Sequence, residues 1–177
     1  MNTGHDTKAT LSISMQTEDF IGFTQTLTNC QVDFSSLYDP IGFNIFHDLA
    51  NCIIKEESLL KFLNILIISF KLRYKGNGLK IVKEMLNLQT FASKQTPLLL
   101  AINHNRIVNF SQELIKELVL LGADPSIKDV NRQGPMHICA QFGKVRLFVY
   151  FHSLWINFEE KDIESRTPLH ISALEGY

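Results

Sequence analysis

The sequence predicts an all-α solenoid of stacked helix–turn–helix units joined by short hairpin loops, on three observations. The first is an internal repeat. Residues 129–144 and 162–177 align without gaps at a separation of 33 residues, pairing Pro135 with Pro168, His137 with His170, Ala140 with Ala173 and Gly143 with Gly176. Self-similarity at such a period marks an architecture of repeated supersecondary units. The second is punctuation. Thr167-Pro168 and Thr96-Pro97 are helix starts, because a threonine hydroxyl accepts an orphan backbone N–H and proline at the first helical position has none to waste. Gly143 and Gly176 stand where such a helix needs a left-handed residue to stop. The third is the apolar spacing of Leu114, Ile115, Leu118, Val119 and Leu121, which draws one face of a second helix.

Taken in chain order, residues 1–17 are polar and are expected to form a flexible leader. The repeat region then runs over 18–177. A half repeat fills 18–38, and units start near 39, 91, 129 and 162, the last truncated. The unit at 91 carries about five extra residues around 108–112, since Pro97 stands 38 before Pro135. The unit at 39 lies 52 residues before the next copy of its motif, so it holds a long insertion, placed within 71–88. Gly76-Asn77-Gly78 reads as a turn inside that inserted loop. Tyr177 follows the Gly176 turn directly, before a second helix, so the chain is expected to be a fragment whose solenoid continues.

Thr167-Pro168-Leu169-His170, the 33-residue period and Leu121-Gly122-Ala123-Asp124 together resemble the ankyrin repeat. The resemblance covers about residues 18–177. It departs from the family pattern in three places: Asn44 stands for the threonine in the unit at 39, which also lacks the proline; Leu99 replaces the histidine after Thr96 and Pro97; and Trp155-Ile156-Asn157 lacks a terminating glycine. The resemblance implies that His47, His137 and His170 are structural, bonding neighbouring loops and the helix cap. It also implies that a protein partner is gripped by hairpin tips and by the exposed ends of the first helices. By position these are Lys128, Val130, Asn131, Gln133, Gln141 and Phe142 in one unit. The next unit supplies Lys161, Ile163, Glu164, Arg166, Leu174 and Glu175, and the unit at 91 adds Ser93, Gln95, Asn103 and His104.

Other chemistries find little footing. With 17 basic against 18 acidic side chains and no basic run, the footprint of a nucleic-acid binder is missing. The most apolar stretch, residues 59–70, is interrupted by Lys61 and Asn64 and falls short of the ~20 residues a membrane span needs. No export signal opens the chain. Cys30, Cys52 and Cys139 are odd in number and widely spaced, which fits a reduced, cytoplasmic setting. Neither Cys-x-x-Cys nor a His pair at metal spacing occurs. Glycine-rich phosphate loops and nucleophile elbows are likewise missing.

These readings converge on a non-catalytic scaffold without a cofactor, binding a partner protein on a concave face. An alternative places the chain as the regulatory, substrate-recruiting region of a larger enzyme. Residues 42–52, Gln89-Thr90 and residues 95–103 are similar to the N-terminal ankyrin region of certain protist palmitoyltransferases. In those enzymes an Asp-His-His-Cys membrane domain follows the repeats, which would put this chain at the cytoplasmic face of a membrane.

Overall fold

The computed structural model describes residues 4–30, 33, 38–104 and 112–177. Their ten helices are α1 (Gly4–Gln16), α2 (Phe20–Asn29), α3 (Ile45–Asn51), α4 (Glu56–Arg73), α5 (Gly78–Leu86), α6 (Pro97–His104), α7 (Glu113–Leu120), α8 (Pro135–Gln141), α9 (Val145–Ser153) and α10 (Pro168–Glu175). An inner row runs α1, α3, α6, α8, α10, each helix packed on the next. Behind it, α2 pairs with α1, α7 with α6 and α9 with α8. This is the all-helical ankyrin-type solenoid that the repeat predicts, without a strand among the described residues.

The punctuation works as its chemistry demands. The Thr96 hydroxyl accepts the Leu99 N–H at 3.3 Å, and Gly143 and Gly176 take φ of 61° and 83°. Trp155 also adopts a positive φ, 62°, at the position where Gly122 adopts 100° in the preceding unit. The turn after α9 therefore keeps its geometry without a glycine.

The missing Thr-Pro pair in the unit at 39 has a full substitute in Asn44, which is wholly buried. Its side-chain oxygen accepts the N–H groups of Phe46 (3.0 Å) and His47 (3.2 Å). Its amide donates to the Met85 carbonyl at 2.7 Å. One side chain thus caps α3 and fastens it to α5.

Three sequence expectations are corrected. Residues 1–17 are not a flexible leader, because residues 4–16 form α1. Leu11 and Met15 are buried in the core, and Lys8 makes ion pairs with Asp48 at 2.8 Å and Asp39 at 3.3 Å. Consequently, 18–38 does not begin as a half repeat: α2 is the back half, and α1 is the front half that completes it. The insertion at 71–88 is not a loop either. After its first helix, α3, the unit at 39 carries two more, α4 and α5, where the units at 91 and 129 carry one each. Helix α4 buries Leu59, Phe62, Leu63, Leu66, Ile67 and Phe70 at helical spacing, and the chain turns at residues 74–77 into α5. Gly78 allows that fold-back, since a Cβ there would meet the Phe70 carbonyl oxygen at 2.5 Å. The extra residues expected at 108–112 lie outside the described residues, apart from Gln112.

Candidate partner-binding surface

Each hairpin is a short finger organised by one side chain at its base. In the first, Asp39 Oδ1 accepts the N–H groups of Ile41 and Phe43 at 3.0 and 2.8 Å. Asp129 does the same for Asn131 and Gln133 (2.9 and 2.8 Å). Asp162 serves Glu164 and Arg166, both at 2.9 Å. In the second finger the Thr90 hydroxyl takes this role, accepting the Gln95 N–H at 3.0 Å. A backbone bond closes every finger: Asp39 to Phe43, Thr90 to Gln95, Asp129 to Gln133 and Asp162 to Arg166. Aspartate suits these bases because its short carboxylate folds back on the chain two residues on.

The fingers are also tied sideways. The Phe91 N–H donates to the Ile41 carbonyl (3.0 Å), Val130 to Ser93 (3.0 Å) and Ile163 to Asn131 (2.9 Å). Beneath the tips, the histidines bridge units. His47 Nδ1 accepts the Asn44 N–H at 3.2 Å, which leaves Nε2–H to donate to the Gln95 carbonyl, also at 3.2 Å. His137 repeats the pattern with the Gly134 N–H (3.3 Å) and the Glu160 carbonyl (3.0 Å). Burial drives the His47 pKa down to about 4, even though the Gln95 carbonyl favours a proton. Burial lowers His137 as well. Both rings are therefore neutral structural links. His170 accepts the Thr167 N–H at 3.3 Å and lies 2.7 Å from the Thr167 hydroxyl, on an exposed face.

Leu99 cannot bridge its unit to the next, and Gln89 does so instead. Its amide donates to the carbonyls of Lys94 (2.6 Å) and Lys128 (2.8 Å), one on each side of the gap. Removing it strands both acceptors, so Gln89→Ala is expected to lower stability by about 1–2 kcal/mol. Adding Leu99→His, which restores the usual bridge, should recover part of that loss. Urea unfolding of the single and double variants checks this, and a double variant less stable than Gln89→Ala would contradict it.

The positions singled out in the sequence divide into three groups. Val130, Asn131, Lys161 and Ile163 stand exposed on the fingers, and Leu174 and Glu175 on the last turn of α10. Others are engaged within the chain. Lys128 pairs with Glu160 at 2.7 Å. Arg166 contacts Asp162 and Glu164 at 2.8 and 3.0 Å, and Gln133 reaches Asp162 at 3.3 Å. Burial would raise the Asp162 pKa, but its backbone donors and the Arg166 guanidinium hold it down to about 2. Ser93, Gln95, Asn103, Gln141 and Phe142 are half-buried, with the Lys144 ammonium 5.3 Å from the Phe142 ring centre. The His104 side chain lies outside the described residues. Of the repeat motif, Thr96, Pro97, Pro135, His137 and Pro168 are buried and Thr167 is half-buried.

Sequence reasoning missed two tips. Phe91 holds in the second finger the place that Val130 and Ile163 hold in the third and fourth, while Ile41 stands one residue further along the first, at the place of Asn131. All four stand in solvent, at 57, 65, 51 and 62 % exposure. The Phe91 ring rests on Gly42, whose added Cβ would meet it at 3.1 Å. The signal available was the finger base, since each tip follows Asp39, Thr90, Asp129 or Asp162 by one or two residues. A second set of exposed apolar side chains is Leu169 and Leu174 on α10 and Tyr177 just past it. The equivalents of Leu169 in earlier units, Phe46, Leu98 and Met136, are all buried.

Covalent chemistry has little support here. All three cysteines are buried, and burial pushes the thiols of Cys52 and Cys139 up to about 11 and about 12. A protonated, enclosed thiol is a poor nucleophile. Among the described residues, no group of three or more His, Cys, Asp or Glu side chains is placed to hold a metal, and no helix is long and apolar enough to cross a membrane.

Comparison with known proteins agrees with this geometry. Residues 93–130 match the family model of the ankyrin repeat; that span runs from the second finger through α6 and α7 to the tip of the third. NF-kappa-B inhibitor delta of Mus musculus is 30% identical over 82 residues, which cover 45% of this chain and 24% of that protein. The matched part thus spans about a quarter of the relative's length.

Proposed function

From an ankyrin-repeat solenoid with an exposed row of fingers, we propose that this chain is a non-catalytic protein–protein interaction module that grips its partner on the finger-bearing concave side. Ankyrin repeats generally mediate protein–protein contacts, and one observation carries the assignment here. Four fingers, locked to one another by backbone hydrogen bonds, each hold an apolar side chain out in water one or two residues past the finger base. Exposed apolar side chains set in a polar frame mark interaction sites. The rigid frame beneath them limits the ordering cost of binding. The matched relative is named as an inhibitor of NF-kappa-B, which supports a regulatory role exerted through binding.

A displayed library of random peptides, panned on the chain, tests the reading. Recovered ligands should bind Val130→Asp/Ile163→Asp about tenfold or more weakly, as expected when central apolar anchors are lost. Ligands that bind wild type and this variant equally would place the interaction elsewhere and defeat the proposal.

A further inference from the structure

The charges around the fingers are unevenly settled. Lys128 is matched by Glu160, and Arg166 by Asp162 and Glu164. Lys94 and Arg132 are exposed and make no ion pair among the described residues. Both occupy the left-handed corner of their fingers, with φ of 55° and 59°. Lys94 shares its finger with Phe91, and Arg132 shares the next with Val130. Two cations without an ion pair among the described residues are thus interleaved with the apolar tips in the middle of the row. The Asp129 carboxylate, at the base of the finger that carries Arg132, is turned inward onto its own backbone donors.

We infer that this row receives an extended, acidic and apolar segment of a partner protein, with its apolar side chains on the tips and its carboxylates opposite Lys94 and Arg132. The inference rests on the interaction-module reading and adds the chemistry of the ligand. The geometry favours an extended segment. The tips form a line whose links are fixed by three lateral backbone bonds, and an extended chain sets side chains along a line at regular intervals. Charge complementarity selects the sign, since opposite potentials steer encounter and like charges facing each other repel.

The test uses the whole chain and three probes: a labelled synthetic peptide alternating Glu and Leu, its counterpart with Lys for Glu, and vesicles containing phosphatidylserine. Fluorescence anisotropy should show the Glu–Leu peptide bound about tenfold more tightly than the Lys–Leu peptide, a preference that falls with salt. Lys94→Gly/Arg132→Gly removes the cations while suiting the left-handed corners, so thermal stability should hold or rise as the preference disappears. Phe91→Ser/Val130→Ser, confirmed as folded by circular dichroism, should weaken binding of the Glu–Leu peptide by a similar factor. Equal or tighter binding of the Lys–Leu peptide would overturn the inference, as would tip-dependent binding of vesicles without the peptide. Suppose instead that library ligands depend on Val130 and Ile163 but not on Lys94 and Arg132. The interaction-module reading would then stand while the acidic chemistry falls.

Discussion

Lys8→Ala is expected to destabilise the whole chain by about 3 kcal/mol, because breaking a buried ion pair from one side leaves its partners charged and unmatched. The Lys8 side chain is only 7% exposed and serves two carboxylates, Asp48 on α3 and Asp39 at the base of the first finger. The Ser12 hydroxyl adds a bond to Asp48 at 2.7 Å. Without the ammonium, two carboxylates remain close together beneath α1. For a chain of this size the loss corresponds to a fall in Tm of about 6–12 °C. Asp39 also holds the Ile41 tip in place, so the damage should reach the first finger. Differential scanning calorimetry of wild type, Lys8→Ala and Lys8→Ala/Asp48→Asn checks this, with the double variant recovering part of the loss. A flexible leader would make Lys8→Ala silent, within about 0.5 kcal/mol.

Acidification should loosen the stack before the carboxylates titrate. The folded pKa of His47 is about 4 against an ordinary 6.5. The unfolded chain therefore binds the proton more readily, and stability rises with pH between those values. The contribution is fully present above about pH 6.5 and lost as pH falls towards 4. At about 1.4 kcal/mol per unit, the full window amounts to roughly 3 kcal/mol for this ring. His137, lowered in the same direction, adds to it. The charged groups near His47 are Lys8, which also disfavours its proton, and Asp39, which favours it. The Asp162 contribution, with a folded pKa of about 2, is lost only below the ordinary aspartate range. Urea midpoints in wild type should therefore hold from pH 7.5 to about pH 6.5 and fall from there to pH 5. The slope should shrink in His47→Gln, which keeps an amide donor for the Gln95 carbonyl but cannot titrate.

The register of the stack is legible in the sequence because its signals are local. A threonine before a proline, a glycine at a left-handed stop and an aspartate at a finger base each act within a few residues. The signals that failed are tertiary. Helix α1 offers few buried apolar residues, and Lys8 and Ser14 on it are buried polar groups. Its place is decided by carboxylates more than 30 positions away. The inserted helices were within reach, since Val82, Met85 and Leu86 are buried at helical spacing, but the surrounding Lys and Gly residues hid them. Phe91 escaped notice because the second finger closes from Thr90 to Gln95, one residue longer than Asp129 to Gln133. That extra residue shifts the tip against the motif. Gln89 is invisible to any one-unit template, as it works only where Leu99 has removed the histidine.

The most direct test of the central claim is a nitrogen–proton correlation spectrum of the labelled chain titrated with the Glu–Leu peptide. Shifts should concentrate at the amides of Ile41, Phe91, Lys94, Val130, Arg132 and Ile163, along one line across four units. Shifts confined to α10 around Leu169 and Leu174, or spread over the outer helices α7 and α9, would contradict it.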